Sequence, residues 1–276
     1  MMFGRLMKND RAFAFGVVVF ALWVLLSAFA PWIAPYDSLA QDIAGRFQPP
    51  SAAHWCGTDS IGRDILSRVL VGSRVSLFAG LATIALSATF GMIYGGIAGY
   101  VGGVVDDIMM RVSEMVLAFP GIILAMTIAA ALGPSLFNTL LAMVVIWWPN
   151  YARVMRSMVI SKKQNEYVEA SRALGASHFR VFFKEILPNS LGPMLVLATL
   201  DFGNAILLFS GLSYLGLGSP PPAPEWGAMV ADGALNFNYW WICTFPGLGI
   251  LTLALGANFI GDGVRDLLDP RLRQGL

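Results

Sequence analysis

The chain has 276 residues, of which 57% are hydrophobic and only 13% are charged. Soluble domains carry about 25% charged residues, so this composition, with a mean hydropathy of +0.67, predicts an all-α polytopic membrane protein. The formal net charge of +1 gives no indication of a nucleic-acid partner.

Six stretches with few or no charges are each long enough to cross a hydrocarbon layer of about 30 Å. They are predicted near Ala12–Ala34, Val75–Val101, Met115–Leu132, Ser135–Tyr151, Leu191–Leu212 and Trp241–Ile260. The first is expected to be a retained span, because its uncharged run of about 23 residues is longer than the core of a cleavable signal. The second is rich in glycine, which predicts close packing of helix backbones. These glycines are Gly80, Gly91, Gly95, Gly96 and Gly99.

The basic residues are distributed unevenly among the loops. If the N-terminus is cytoplasmic, 14 of the 18 Lys and Arg fall in cytoplasmic segments. The other four share the first outer loop and are Arg46, Arg63, Arg68 and Arg74. The positive-inside rule therefore predicts that both termini and the segment between the fourth and fifth spans are cytoplasmic.

The first outer loop ends in the polar segment Gly57–Arg68. Asp64 and Arg68 are four residues apart, a spacing that favours an ion pair on a helix. A structural role explains this segment without assuming a ligand, namely a capped amphipathic elbow at the membrane interface.

His54 and the two cysteines, Cys56 and Cys243, are all predicted to lie towards the outer side. His54 and Cys56 alone are too few ligands for a metal site, and a solvated histidine is favoured. A disulfide between the cysteines is possible, but two unpaired thiols are the favoured interpretation.

The segment between the fourth and fifth spans is predicted to form a cytoplasmic helix-turn-helix. Tyr167, Ala170 and Leu174 fall at i, i+3 and i+7 and form one apolar stripe. Gly175 is expected to end that helix in the left-handed conformation. A second apolar set continues the helical spacing up to Pro188, which stops the helix or starts the next span. This set is Phe179, Phe182, Phe183 and Ile186. An element of this kind predicts docking of a soluble partner.

Asp201 is the one carboxylate well inside a predicted span, about ten residues after Leu191. A charge at that depth costs on the order of 2.5–3.5 kcal/mol, so the side chain should face the bundle or a wet pathway. Two interpretations stay open. Asp201 either lies on a pathway wall or gate and meets a cationic group, or it is a hydrogen-bonded residue that only fixes helix packing.

A proline run precedes Glu225 and Trp226 in the second long outer loop. The run consists of Pro220, Pro221, Pro222 and Pro224. It could form a stiff extended linker. Alternatively, together with Glu225 and Trp226, it could form an outer mouth that contacts a substrate-delivering protein.

The sequence lacks the motifs of several functional classes. No lysine follows a glycine, so there is no phosphate-binding loop. No nucleophile or metal motif of an intramembrane enzyme is present, and no cofactor is expected on this chain. The spans also lack the ladder of ionisable residues that a proton-coupled carrier often shows. A self-sufficient ion-coupled carrier, and a membrane anchor without a pathway, remain the rival hypotheses.

Four motifs resemble the permease subunits of ABC importers. Glu169-Ala170-Ser171, then Gly175 and Leu187-Pro188, resemble the signature E-A-A-x3-G-x9-I-x-L-P. Ser171 replaces the second alanine, and Glu185 followed by Ile186 shifts the apolar position by one. The other three motifs resemble the branch that imports dipeptides, oligopeptides, nickel and related chelates, and the match is closest to its second, "C"-type permease. They are Gly57–Arg68, Ser213–Gly227 and Asn258–Pro270.

The resemblance implies a type I ABC importer permease fold in a bacterial inner membrane, surrounded by membrane lipid. Such a chain forms half of a translocation pathway for small peptides or, alternatively, for nickel or a metal chelate. Its expected partners are a second homologous permease, two cytoplasmic ATPases that bind ATP and Mg, and an extracytoplasmic binding protein. The expected ATPase-docking residues are Tyr167, Glu169, Ala170, Ser171, Leu174, Gly175 and Phe179.

The expected domain organisation has three parts. Residues 1–74 are the N-terminal tail, the first span and an outer loop. Residues 75–262 are the common core, with the coupling loop near residues 153–190. Residues 263–276 are a cytoplasmic tail.

Overall fold

The computed structural model describes residues 10–268, and regular secondary structure in this range is helical apart from one isolated bridge between Thr58 and Asp64. A 3₁₀ turn lies at Ile43–Gly45. The helices are α1 Arg11–Ile33, α2 Ile65–Val101, α3 Gly103–Leu117, α4 Gly121–Leu132, α5 Leu136–Lys162, α6 Glu166–Ala173, α7 His178–Tyr214, α8 Trp226–Leu235 and α9 Trp241–Leu268. Four of the basic residues used for the orientation lie outside the described residues. They are Arg5, Lys8, Arg271 and Arg273.

The prediction of an all-α polytopic membrane protein is confirmed. In the described part of the chain, α1, α2, α7 and α9 are each long and apolar enough to cross a membrane, and the bent pair α3 and α4 is a fifth candidate. Helix α5 has 27 residues, or about 40 Å, which is enough to cross although its sequence is more polar. The arrangement is consistent with the six predicted spans.

The prediction of one continuous span at Met115–Leu132 is wrong. Helix α3 ends at Leu117, α4 begins at Gly121, and the two axes meet at 85°. Pro120 lies at the bend, where its ring disfavours a helical residue before it and its nitrogen has no hydrogen to donate. Helix α4 has only 12 residues, or about 18 Å, so it cannot cross the hydrocarbon layer alone.

Helices α2 and α7 are longer than the predicted spans. Each has 37 residues, or about 55 Å, compared with a hydrocarbon layer of about 30 Å. Helix α2 begins at Ile65, ten residues before the predicted start, because the Asp64 carboxylate caps it by accepting from the Ser67 amide. Helix α7 passes Pro188 without a break, and the preceding turns, Val181–Ile186, have π-helical hydrogen bonding.

The predicted close packing at the glycines of α2 is confirmed, with α5 as the partner of Gly91, Gly95 and Gly99 and α7 as the partner of Gly80 and Gly96. A Cβ atom placed on Gly91 would lie 2.5 Å from the Trp148 carbonyl oxygen, and one on Gly99 would lie 2.8 Å from the Arg156 carbonyl oxygen. The two backbones therefore approach so closely that only glycine fits at these positions.

An ion-pair network holds the outer elbow before α2. Arg63 pairs with Asp59 at 2.6 Å, and Asp59 also lies 3.5 Å from Arg68. The predicted pair between Asp64 and Arg68 is wrong, because Asp64 instead caps α2 and contacts His54 Nδ1 at 2.9 Å. Arg68 donates to the Ser38 carbonyl.

The two cysteines are free in the structure, as favoured from the sequence. Cys56 is buried at the base of the outer elbow, and this burial raises the pKa of its thiol to about 11. The thiol is therefore protonated at neutral pH and has little of the reactivity of a thiolate.

Candidate functional site

The first candidate site is the segment of residues 163–183, which is predicted to be cytoplasmic and is called the cytoplasmic element below. It consists of α6, a turn and the first turns of α7. Val168 on α6 and Val181 on α7 are fully buried. These two apolar side chains attach the element to the bundle, so the helix-turn-helix predicted from the sequence is confirmed as a packed unit.

The turn after α6 is closed by backbone hydrogen bonds in the pattern of a Schellman motif. The Gly175 amide donates to the Arg172 carbonyl at 2.9 Å, and the Ala176 amide donates to the Ser171 carbonyl at 3.1 Å. Gly175 has a φ of +81°, the left-handed value predicted for it. Ser171 thus contributes its backbone to the turn that Gly175 makes possible.

The predicted docking residues are largely at the surface of the element. Leu174 is 89% exposed and Phe179 is 72% exposed. Tyr167, Glu169 and Ala170 are also exposed, whereas Ser171 is half-buried. Glu169 forms no ion pair with any described residue. The exposed set contains large apolar side chains, and exposed apolar patches mark interaction surfaces.

Ile186 is fully buried, whereas the preceding Glu185 is half-buried. The apolar contact of the signature is therefore shifted by one position, as the sequence indicated. The π-helical turns that end at Ile186 provide this shift, because they change the direction of side chains relative to an α-helix.

Tyr100, near the end of α2, connects both flanks of the cytoplasmic element. Its carbonyl accepts from Lys163 Nζ at 2.6 Å, and its hydroxyl contacts His178 Nδ1 at 3.0 Å. Lys163 follows α5 and His178 begins α7. The element is therefore fixed to three long helices.

The second candidate site is a cavity of about 670 Å³ that is open on one side. Helices α4, α5 and α7 form its wall, which is mostly apolar. Three polar side chains interrupt it, namely Asn150 on α5 and Asp201 and Asn204 on α7. A cavity of this size, with a few polar groups in an apolar wall, is typical of small-molecule sites.

Asp201 is half-buried, and its carboxylate lies close to the polar atoms of Trp147 and Tyr151 of α5. The Tyr151 hydroxyl is fully buried, faces Asp201, and has no hydrogen bond of regular geometry with the described residues. The Asp201 side chain thus packs against α5 and also lines the cavity. The pathway role and the packing role predicted for it are therefore compatible.

Sequence reasoning missed Asn150 and Asn204 as cavity residues. A signal existed for Asn204, because it follows Asp201 by three residues and so lies on the same face of a helix. No such signal existed for Asn150, because its position beside them depends on how α5 packs against α7.

An ion pair between α3 and α5 was also missed. Arg156 donates from Nε and Nη2 to the two oxygens of Asp106, at 2.5 and 2.6 Å. Asp106 is buried although it lies in the first turns of α3. Bidentate pairs of this kind are the stronger class of ionic contact, so this pair fixes the bent third span against α5.

The expectation that Glu225 and Trp226 contact a partner at an outer mouth does not fit the structure. Both residues are fully buried. The Glu225 carboxylate accepts from the amides of Gly227 and Ala228 and so caps α8. Trp226 Nε1 donates to the Val69 carbonyl at 2.9 Å. Trp226 therefore fastens α8 to α2, and Glu225 stabilises the first turn of α8.

The sequence was compared with known protein families. The family described as "Binding-protein-dependent transport system inner membrane component" matches residues 91–274. The chain belongs to this family. Residues 1–50 of the permease also match the "N-terminal TM domain of oligopeptide transport permease C". The resemblance to an ABC importer permease, inferred from the sequence motifs, is therefore confirmed.

The permease is similar to several curated proteins over nearly its whole length. It is 45% identical to the probable D,D-dipeptide transport system permease protein of Escherichia coli K12, over 96% of this chain and 90% of that protein. It is 42% identical to the dipeptide transport system permease protein of Alkalihalophilus pseudofirmus, over 98% and 89%. It is 40% identical to the oligopeptide transport system permease protein of Bacillus subtilis, over 97% and 88%.

Membership of this family establishes the general function of the chain. The chain is a multi-pass inner-membrane transport permease, and its system also uses a substrate-binding protein and an ATPase. The exposed cytoplasmic element and the one-sided cavity are the two features of the structure that such partners can use.

Proposed function

We propose that this permease forms half of the translocation pathway of an ATP-driven importer of small peptides. The relatives at 40–45% identity are named as dipeptide, oligopeptide or D,D-dipeptide permeases. The cavity around Asp201 is open on one side, and a second homologous permease would supply the missing wall. ATP and Mg would be bound by two cytoplasmic ATPase subunits, and peptide would be delivered by an extracytoplasmic binding protein.

The observation that carries this proposal is the continuity of α7. One uninterrupted helix begins at His178 in the cytoplasmic element and ends at Tyr214. It carries Phe179, which is exposed to a partner, and Asp201 and Asn204, which line the cavity. Phe179 and Asp201 are separated by about 33 Å of helix. An ATPase that moves the first turns of α7 would therefore also move one wall of the cavity, which is the coupling that an ATP-driven importer needs.

The docking residues are tested with Glu169→Lys and Gly175→Trp in the complete transporter. Glu169 is exposed and unpaired, so its replacement changes only the surface that a partner sees. A Cβ atom on Gly175 meets nothing within 4 Å, although the left-handed φ costs about 1 kcal/mol for other residues. We expect both variants to insert normally, to retain less ATPase on purification and to lose transport.

Two matched controls separate docking from folding. Gly175→Ala introduces the same backbone strain without the bulk, so it should retain most ATPase. Glu166→Lys makes the same charge change in the first turn of α6, outside the predicted docking set, and should retain transport. Normal transport by Glu169→Lys and Gly175→Trp would contradict the proposal.

The cargo is tested on the binding protein of the same system. We expect dipeptides or short oligopeptides to raise its melting temperature and nickel or a metal chelate to leave it unchanged. The reverse result would assign the alternative cargo and leave the proposed coupling unaffected. Transport by this permease without any ATPase would instead support an ion-coupled carrier.

The proposed orientation has both termini in the cytoplasm. Reporter fusions near Gly45 and Pro222 should read outside, and fusions near Lys163 and Arg273 should read inside. A fusion at Lys163 that reads outside would refute the docking proposal, because a cytoplasmic ATPase could not reach the element.

A further inference from the structure

A groove lies between α2 and the first half of α7, and only its end at Phe179 overlaps the expected ATPase-docking residues. Its volume is about 490 Å³, and its wall is almost entirely apolar. The wall includes Ile93 and Ile97 of α2 and Phe182, Leu187 and Leu191 of α7. The groove is separate from the Asp201 cavity, which α4, α5 and the second half of α7 form.

The groove faces the side of the bundle where the exposed residues of α2 are mostly apolar. This exposed stripe includes Phe78, Leu81, Leu86, Phe90, Ile93, Ile97 and Val101. A helix face of this composition is suited to hydrocarbon and not to water. Along α2 the groove extends from Thr89 to Val101, or about 18 Å. One leaflet of the hydrocarbon core is about 15 Å deep, so the groove matches the depth of one leaflet.

Basic side chains gather where the groove ends at Tyr100. The Lys163 ammonium lies 5.5 Å from the centre of the Tyr100 ring, and the Arg172 guanidinium lies 6.0 Å from it. The His178 ring contacts the Tyr100 hydroxyl at 3.0 Å. Arg172 Nε is buried and has no hydrogen-bond partner among the described residues. Two cationic side chains therefore lie against Tyr100, which is itself a wall residue at the end of the groove.

We propose that this groove binds an anionic phospholipid, with an acyl chain along α2 and α7 and the phosphate beside Lys163, Arg172 and His178. The apolar part of the groove matches the acyl chain of such a lipid. The cationic side chains at its end match the phosphate. Basic pockets between helices on the cytoplasmic side are suited to anionic headgroups. An ATPase docked on Phe179 would meet only one end of the groove, because the groove continues along α2 to Thr89 and along α7 to Leu191.

Lipid binding at this site would also make the order of the cytoplasmic element depend on the lipid composition of the membrane. Lys163 precedes α6, Arg172 lies in its last turn, and His178 begins α7. A phosphate that pairs with Lys163 and Arg172 and contacts His178 would hold the element against Tyr100. The element would then be better ordered in a membrane rich in anionic lipid.

The test measures lipid binding to the purified full-length permease by native mass spectrometry, with phosphatidylglycerol and phosphatidylcholine as probes. We expect preferential retention of phosphatidylglycerol. Lys163→Gln and Arg172→Gln should each weaken it about fivefold, which corresponds to about 1 kcal/mol per basic residue. Lys162→Gln is the matched control, because it removes the neighbouring charge without changing a contact to Tyr100.

A second pair of variants tests the acyl-chain part. Ile97→Trp fills the groove and should reduce retention of phosphatidylglycerol, whereas Leu86→Trp adds the same bulk on the same exposed face outside the groove and should not. Inorganic phosphate should not displace the lipid.

Four results would overturn the proposal. These are equal retention of the two lipids, equal effects of Lys163→Gln and Lys162→Gln, displacement by inorganic phosphate, and loss of the lipid when the ATPase is added. The last would assign the groove to the ATPase. The measurement needs no transport, so its failure is distinguishable from a failure of the proposed function.

Discussion

Gly95 is the position where the contact between α2 and α5 is closest, and Gly95→Ala is the sharpest test of that packing. A Cβ atom at this position would lie 2.6 Å from the carbonyl carbon of Ala152 and 2.7 Å from its Cα, and would overlap the carbonyl oxygen. Carbon atoms pack best at about 3.5–4.0 Å, so the helices would have to separate by about 1 Å. No rotamer change can relieve the overlap, because the obstructing atoms belong to the backbone.

The expected cost is at the upper end of the overpacking range, about 3 kcal/mol. The gain in helix propensity from glycine to alanine offsets about 1 kcal/mol of it. Gly247→Ala in α9 is the matched control, because a Cβ atom there meets nothing within 4 Å. The control should be neutral or slightly stabilising. The difference between the two variants isolates the clash, since both gain the same propensity.

The assay is thermal unfolding of the purified full-length chain in detergent, followed by tryptophan fluorescence. Each kcal/mol shifts the melting temperature by about 2–4 °C for a chain of this size class. Gly95→Ala should therefore melt about 6–12 °C below Gly247→Ala, because the clash of about 3 kcal/mol separates the two variants. If Gly95→Ala melts at or above the control, the two helices do not pack as closely as described, and the reasoning is refuted.

Three further predictions concern carboxylates. Asp106→Asn should destabilise the chain by about 1–3 kcal/mol, because it leaves Arg156 without its bidentate partner, whereas Asp107→Asn should be near neutral in the same melting assay. Asp201→Asn should reduce uptake or shift cargo preference in an assembled transporter, and unchanged uptake would leave only its packing role. Burial raises the pKa of Glu225, so the folded state binds its proton more tightly than the unfolded state does. Stability should therefore fall as pH rises from the ordinary glutamate pKa of about 4.3 through the raised value, and Glu225→Gln should flatten that dependence.

The sequence alone determined the fold class and the cytoplasmic element. Both depend on local patterns, namely long uncharged runs and the spacing of apolar residues around Gly175. The left-handed turn at Gly175 and the close packing at Gly91 were predictable, because each follows from the absence of a side chain at one residue. The family motifs could also be recognised from the sequence, because each is a contiguous segment.

Only the tertiary structure decided which polar groups meet. Asn150 reaches the cavity of Asp201, and Arg156 pairs with Asp106, because α5 packs against α7 and α3 in one register. Asp64 contacts His54 instead of Arg68, because the outer loop folds back onto the first turn of α2. Long-range packing also buries Glu225 and Trp226, which the sequence had offered as surface residues of an outer mouth. Local spacing predicts which residues share a helix face, but the partner of that face depends on long-range packing that no short segment encodes.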